Sequence, residues 1–365
     1  MRNNHVIQED LKNISEELHD LSYNLQGKTV LITGGAGFLG KYIVYSLQYL
    51  NENKFTNPCK IIVLDNYIVG TKGIFDKDPN LQIIEQDIIK PFDIEGNVDY
   101  IFHAASIASP VFYHKYPIET IDVGFFGTKN MLELAREKKV KSFMFFSSSE
   151  VYGNPPADMI PTLESYNGNV SFTGPRAHYD EPKRLGETLC MTYEKVHKVP
   201  VKVVRPFNIY GPGMRLDDGR GITNFVVQGY KKSKIFVYGN GRNTRTWCYI
   251  SDAIIGLFKI LLSENQGQAY NLGTDRGEIE MVDLAELTSS LMENNPEVIF
   301  VDGPINVYKD ADVNRRCANI NKIRSELKFE PKVSLVRGLR RFILWTGEEL
   351  KRQSLIEKTS YFKKE

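Results

Sequence analysis

Apolar positions change period along this chain. In residues 1–26, Leu11, Ile14, Leu18, Leu21 and Leu25 stand at alternating three- and four-residue steps in a polar background. That is the period of a helix with one buried face. The pattern ends after about two heptads, too short for a coiled coil. It predicts an extra helix docked on the body or on a partner subunit.

From Lys28 onward, short apolar runs alternate with longer amphipathic ones. Strands are predicted at Lys28 to Thr33, Lys60 to Leu64, Leu81 to Glu85, Val98 to His103, Val140 to Phe146 and Val201 to Arg205. Helices are predicted from Lys41 to Leu50, from Pro117 to Lys138 and around Tyr179. Such alternation implies an α/β protein with a Rossmann-type, doubly wound parallel sheet. After Pro206 the spacing loosens, and Gly, Pro, Asn and Asp cluster at 211–221 and 239–243. Helices near 251–263, 281–293 and 334–346 complete a smaller, mixed C-terminal lobe for substrate. The expected organisation is an N-terminal helical extension (1–26), a dinucleotide-binding domain (27–206), a substrate lobe (207–350) and a charged, fraying tail (351–365).

Composition changes this picture only by exclusion. Net charge is +1, so no overall field recruits nucleic acid or an anionic membrane. No apolar run reaches membrane-spanning length, and the N-terminus lacks a signal-peptide core. Cys59, Cys190, Cys248 and Cys317 have no paired metal spacing, so no metal is expected. They read as reduced thiols of a cytoplasmic protein.

Chemistry enters at two places. Gly34-Gly35-Ala36-Gly37-Phe38-Leu39-Gly40 follows the first strand and opens a helix. Gly34, Gly37 and Gly40 permit a tight turn and close approach to a pyrophosphate, which then meets the helix N-terminus. Asp65 ends the second strand, where a carboxylate accepts from adenosine ribose hydroxyls and repels a 2′-phosphate. NAD is therefore favoured over NADP, with nearby Lys72 as a counter-signal. Asp87 and Ile88 fall where the adenine would lie, although Asp87 could equally cap the following turn.

The second place is Tyr179, four residues ahead of Lys183 and downstream of Ser147-Ser148-Ser149-Glu150. One helical turn puts both side chains on one face. A lysine ammonium beside a phenol lowers a pKa otherwise near about 10, making a general base at neutral pH.

These motifs, with Ser149-Glu150-Val151-Tyr152-Gly153 and Arg205-Pro206-Phe207-Asn208-Ile209-Tyr210-Gly211-Pro212, resemble the extended short-chain dehydrogenase/reductase superfamily. More narrowly, Gly174-Pro175-Arg176-Ala177-His178-Tyr179-Asp180-Glu181-Pro182-Lys183-Arg184, Asp218-Gly219-Arg220 with Asn224, Tyr238-Gly239 and Thr244-Arg245 resemble the UDP-glucuronic acid decarboxylases. The resemblance covers roughly residues 28–345. It implies NAD-dependent oxidation at sugar C4, loss of CO2 from the β-keto acid, protonation at C5 and return of the hydride. Tyr179 would take the C4 hydroxyl proton, Lys183 would hold the phenolate, and Ser148 would orient the C4 oxygen. Glu150 and Arg245 match two further catalytic positions. Ser149 stands where 4,6-dehydratases carry an acid. The cofactor set would include Phe38, Leu39, Asn66, Ala104 and Ala105. The nucleotide-sugar set would be Tyr113, Asn208, Arg220, Asn224, Tyr238, Arg242 and Arg245.

The chain departs from that pattern at Gly124 (Asn in relatives), Pro182 (Gly), Gly213 (Arg) and Ser106-Ile107 (Ser-Pro). Proline belongs in a helix's first turn, so the Tyr179 helix is expected to start near Asp180 or Glu181. A 4-epimerase, a 4,6-dehydratase and a non-catalytic NAD-binding scaffold remain open as alternatives. A homodimer through helices 117–138 and 179–198 is expected.

Overall fold

The computed structural model describes residues 1–302 and 313–361. Residues 303–312 of the expected substrate lobe and 362–365 of the expected tail lie outside that range.

The chain opens with α1 (His5–Leu18), capped by the Asn4 side chain, which accepts from Val6 N–H. A 3₁₀ segment (His19–Leu25) and β1 (Thr29–Thr33) follow. Next come α2 (Phe38–Asn53), β2 (Lys60–Asp65), β3 (Leu81–Glu85), β4 (Tyr100–His103), α3 (Pro110–Lys115) and α4 (Pro117–Asp122). A π-helical turn (Val123–Gly127) leads into α5 (Thr128–Lys138), β5 (Ser142–Phe146), α6 (Ala177–His197), β6 (Val201–Pro206) and β7 (Ile209–Tyr210). The second half adds α7 (Gly221–Lys232), β8 (Lys234–Tyr238), β9 (Thr244–Arg245), β10 (Cys248–Tyr249), α8 (Ile250–Leu261), β11 (Gln268–Leu272), β12 (Ile279–Glu280), α9 (Met281–Leu291) and β13 (Glu297–Val301). It closes with β14 (Arg315–Arg316), α10 (Asn321–Leu327) and α11 (Leu335–Tyr361).

The central sheet has seven strands in the order β11-β6-β5-β4-β1-β2-β3, with every pairing parallel. Its middle strands read as continuous apolar runs because helices cover both faces. Leu31, Ile101, Phe143 and Val201 pack with Met131, Leu132 and Cys190 of α5 and α6 on one face. Ile32, Phe102, Met144 and Val204 pack with α2 and α8 on the other. That second core runs without a break into the C-terminal half, through Tyr210, Phe225, Ile235, Leu284, Phe342 and Trp345. The predicted N-terminal helix docks on this face of the body, burying Ile7, Leu11, Ile14 and Leu18 against α8 and α2.

The structure corrects several boundaries. The helix from Pro117 to Lys138 is one run interrupted by the π turn. The last helix, expected at 334–346, continues to Tyr361 through the charged residues. Helix α7 and strand β13 were not expected, because α7 starts among the turn-forming residues at 219–221 and β13 follows a Pro.

Helix α6 starts at Ala177 rather than at Asp180 or Glu181, so Pro182 lies inside it. Its ring removes the amide that would bond the His178 carbonyl. The opposing π turn makes room for it: a Cβ on Gly124 would stand 2.5 Å from the Pro182 Cβ. Two departures from the expected pattern therefore face each other, and Pro182 leaves no room for a side chain at position 124.

Candidate active site

Every parallel strand delivers its C-terminal end to one edge of the sheet, where loops build a cleft of about 1010 Å³. Helix α2, the loop after β5, α6 and the 206–224 segment all contribute to its lining.

At the cofactor end, the glycine loop is packed too tightly for side chains. Gly34 has φ +66°, and a Cβ on it would meet Ala105 Cα at 2.7 Å; one on Gly40 would meet the Gly34 carbonyl oxygen at 2.3 Å. Phe38 begins α2, so its first amides point into the cleft without intrahelical partners. Asp65 is buried at the end of β2. Its Oδ2 accepts from Ala36 N–H (2.9 Å) and its Oδ1 from Tyr67 N–H (2.8 Å). Burial raises its pKa, a rise those two amides offset only in part. The counter-signal is neutralised: Lys72 Nζ sits 2.7 Å from both oxygens of Glu85. Asp87 both lines the cleft and caps its own turn, accepting from Ile89 N–H (3.2 Å). Gly37, Leu39, Asn66, Ile88, Ala104 and Ala105 line the same end.

At the reaction end, Tyr179 and Lys183 lie on the buried face of α6. Lys183 Nζ donates to the Phe146 carbonyl (2.6 Å) and stands 5.9 Å from the Tyr179 ring centre. Burial drives the two groups away from their charged forms. It pushes the Tyr179 hydroxyl up to about 12, against a lowering hydrogen bond from Ser148. It brings the Lys183 ammonium down to about 7. The expected lowering of the tyrosine by its lysine is therefore not found: desolvation dominates, and the groups that pull the hydroxyl down are Ser148 and Arg220. Tyr113 stacks on Tyr179, with ring centres 4.9 Å apart and planes at 17°.

Beside them, Ser148 caps a 3₁₀ turn (Ser149–Tyr152), its Oγ accepting from Glu150 N–H (3.2 Å). That turn aims Glu150 into the cleft. Glu150 Oε2 lies 2.5 Å from Arg176 Nη2 and 2.7 Å from Arg316 Nη2. Burial would raise its pKa, yet Arg316 and Arg176, with Arg245, hold it below the usual carboxylate range. Arg316 and Arg245 are paired residues of the parallel strands β14 and β9. The carboxylate comes from the sheet half, and two of its three cations come from the C-terminal half.

The substrate candidates mostly converge. Asn208 donates to the Thr246 carbonyl (3.1 Å) and Asn224 to the Gly219 carbonyl (3.0 Å). Arg220 reaches Asp218 (3.3 Å), and Tyr238 stands half-exposed on β8. All four line the cleft. Arg242 is exposed and stands outside the lining, because the turn at Gly241 presents its neighbours instead.

Sequence reasoning missed Arg176, Arg316 and Arg215. Arg176 sat inside a quoted motif without a role. Arg316 had no signal at all, since only strand pairing brings it to Glu150. Arg215 lines the cleft and donates to the Val69 carbonyl (2.9 Å).

A glycine loop, a carboxylate closing β2 and a buried Tyr–Lys pair in one cleft define a dinucleotide-dependent enzyme on a Rossmann-type sheet. The model of the NAD dependent epimerase/dehydratase family matches residues 30–273, and the chain belongs to that family. It is 38% identical over 313 residues to UDP-glucuronic acid decarboxylase 6 of Arabidopsis thaliana, covering 85% of this chain and 86% of that one. It is 37% identical over 330 residues to UDP-glucuronic acid decarboxylase 1 of Xenopus tropicalis, covering 90% and 74%. Among solved structures, it resembles epimerase Mth375 of Methanothermobacter thermautotrophicus, with a TM-score of 0.79 and 26% identity over 93% of this chain and 98% of that one. The cofactor is NAD, as the family requires and as Asp65 and the paired Lys72 fit.

Proposed function

We propose that this protein converts UDP-glucuronate to UDP-xylose and CO2 through a 4-keto intermediate. The observation that carries the reading is the Glu150–Arg176–Arg316 cluster beside Tyr179. A neutral hexose gives such a concentration of guanidinium groups nothing to hold, whereas a uronate brings a second carboxylate to it. The decarboxylase relatives support the same substrate.

Bound NAD supplies the acceptor for the C4 hydride and returns it. The rest falls to this chain. Tyr179 takes the C4 hydroxyl proton, and Ser148 orients the oxygen. Lys183 turns the tyrosine's proton balance toward phenolate once its ammonium is charged. Loss of CO2 breaks the C5–C6 bond and leaves its electron pair as an enolate. Arg245 and Arg176 stabilise that charge as it develops. Glu150, kept ionised by its arginines, is a weak base; it orients the water or guanidinium that protonates C5. Asn208, Arg220 and Asn224 hold the diphosphate, and Tyr238 lies against the base. Ser149, a poor acid, does not expel a C6 group, which speaks against dehydration.

Mass spectrometry after incubation with UDP-glucuronate and NAD tests this. Loss of CO2 alone is expected. Loss of CO2 with two further hydrogens means that the keto sugar is released. An unchanged mass with altered NMR couplings would replace the reading by epimerisation.

The protein is proposed to be a cytoplasmic homodimer, divided near residue 207 into cofactor and substrate lobes. Ile118, Ile121 and Phe126 on the α4–π-turn run, with Leu185 and Val196 on α6, are exposed on two helices that pack together. A second copy covering them would form a four-helix interface. The four cysteines are unpaired and buried, in keeping with a reducing compartment. No helix among the described residues is long and apolar enough to cross a membrane. A monomer by light scattering at micromolar concentration would remove the dimer.

A further inference from the structure

The N-terminal helix has one feature that docking alone does not require. Asp10, on its packed face, is 3% exposed and is the meeting point of three other elements. Its Oδ2 accepts from Tyr42 Oη of α2 (3.1 Å) and from Tyr249 Oη of β10 (3.0 Å). Its Oδ1 accepts from Arg341 Nη2 of α11 (2.9 Å). Arg341 closes the ring by donating through Nε to Tyr249 Oη (3.0 Å) and through Nη2 to the Val6 carbonyl (2.8 Å). Both tyrosines are fully buried.

These partners belong to the two halves whose loops line the cleft. Tyr42 is on the helix whose first turn forms the glycine-loop site. Tyr249 and Arg341 belong to the C-terminal half, which lines the other wall. The preceding residue makes a parallel bridge: Lys41, also buried, donates from Nζ to the Gly213 carbonyl (2.7 Å). A Cβ at Gly213 would stand 3.3 Å from the Tyr42 ring, so the 211–215 loop rests directly on this turn of α2.

We propose that Asp10 is a positioning residue for the cofactor site: through one buried carboxylate, the N-terminal helix fixes the start of α2 against the substrate half and so sets the width of the cleft that receives the dinucleotide. Its apolar residues only dock the helix; the carboxylate registers the two walls. Without Asp10, two buried hydroxyls and a guanidinium lose their common acceptor. The walls then relax independently. This inference uses the dinucleotide site alone and stands whether or not the sugar substrate is UDP-glucuronate.

The test compares two full-length variants of the same helix. Asp10→Asn keeps the shape but not the acceptor set, and Ile14→Ala weakens docking without touching the carboxylate. Calorimetric titration of cofactor-stripped protein with NAD, UDP titration and Tm are the readouts. Asp10→Asn is expected to weaken NAD binding at least fivefold, and Ile14→Ala to lower Tm while leaving NAD affinity within twofold of the parent. If Asp10→Asn does not fold, Tyr249→Phe and Tyr42→Phe remove one bond each, and each should weaken NAD binding by at least twofold. NAD affinity within twofold for Asp10→Asn, or for both phenylalanine variants where Asp10→Asn does not fold, would overturn the proposal. So would an equal loss in Ile14→Ala, which would reduce the helix to a stabilising prop.

Discussion

Tyr179 and Glu150 line the same cleft, the first buried and the second largely so, yet desolvation acts on them with opposite results. Around Tyr179 and Lys183 the opposing charges, Arg220 and Glu187, are outweighed by desolvation, which suppresses both charges, to about 12 and about 7. Around Glu150 three guanidinium groups together overcome desolvation and keep the carboxylate ionised. The first corner holds two groups pushed away from their charged forms; the second holds a carboxylate kept in its charged form. Residue type alone does not distinguish these roles, because the number and geometry of nearby cations decide which term wins.

The sharpest way to break the comparison is to remove the proton-exchanging group. Tyr179→Phe should lower turnover by about 10³-fold or more while UDP affinity is retained. Near-normal turnover in a single-turnover assay would take Tyr179 out of the mechanism.

Arg316→Met strips the charged corner of one cation. Turnover should fall on the order of 10²-fold. Because Arg316 holds the Glu150 pKa down, its loss should move the acid limb of the pH–rate profile to higher pH. A smaller rate with an unmoved limb would show that Glu150 does not depend on this arginine.

Lys183→Met separates activity from stability. The folded protein lowers the Lys183 pKa, so it binds that proton more weakly than the unfolded chain does. Stability from this site is complete only above the unfolded lysine range, near about 10.4, and is lost as pH falls through about 7. At neutral pH the lysine is therefore a stability cost. The methionine variant should be inactive but melt higher by roughly 2–4 °C at neutral pH, with the gain growing as pH falls from about 10 to about 7 and level below that. A lower Tm would mean that the Phe146 hydrogen bond outweighs the burial of the charge.

The smallest effect concerns the support under both corners. Gly124→Ala should cost roughly 1–3 kcal/mol, because its methyl group would meet Pro182. Pro182→Gly should restore most of that loss in the double variant, as chemical denaturation would show. Simple additivity of the two changes would mean that the residues do not share the space.

Much of this molecule was legible in order. The apolar runs located the strands of the parallel sheet, the strand–loop–helix context identified the glycine loop, and the Leu11–Ile14–Leu18 spacing found the N-terminal helix. Pro182 misled, since the rule that places proline in a first turn is local and the notch at Gly124 that accommodates it lies 58 positions earlier. Helix α7 carries a helical period at Ile222, Phe225 and Val226 that the turn-forming residues before it obscure, whereas the two-residue strands of the C-terminal half carry none and are held by long-range pairing.

The sequence by itself determined the sheet, the cofactor class and the placing of Tyr179 and Lys183 on one helix face, because these depend on period, glycine and residues within one helical turn. Only the tertiary structure decided how those residues are charged and what holds them. Arg316 reaches Glu150 through the β9–β14 pairing, and Asp10 reaches Tyr249 across the body of the protein. Electrostatic roles depend on distance and burial in space, which the chain's order does not encode locally.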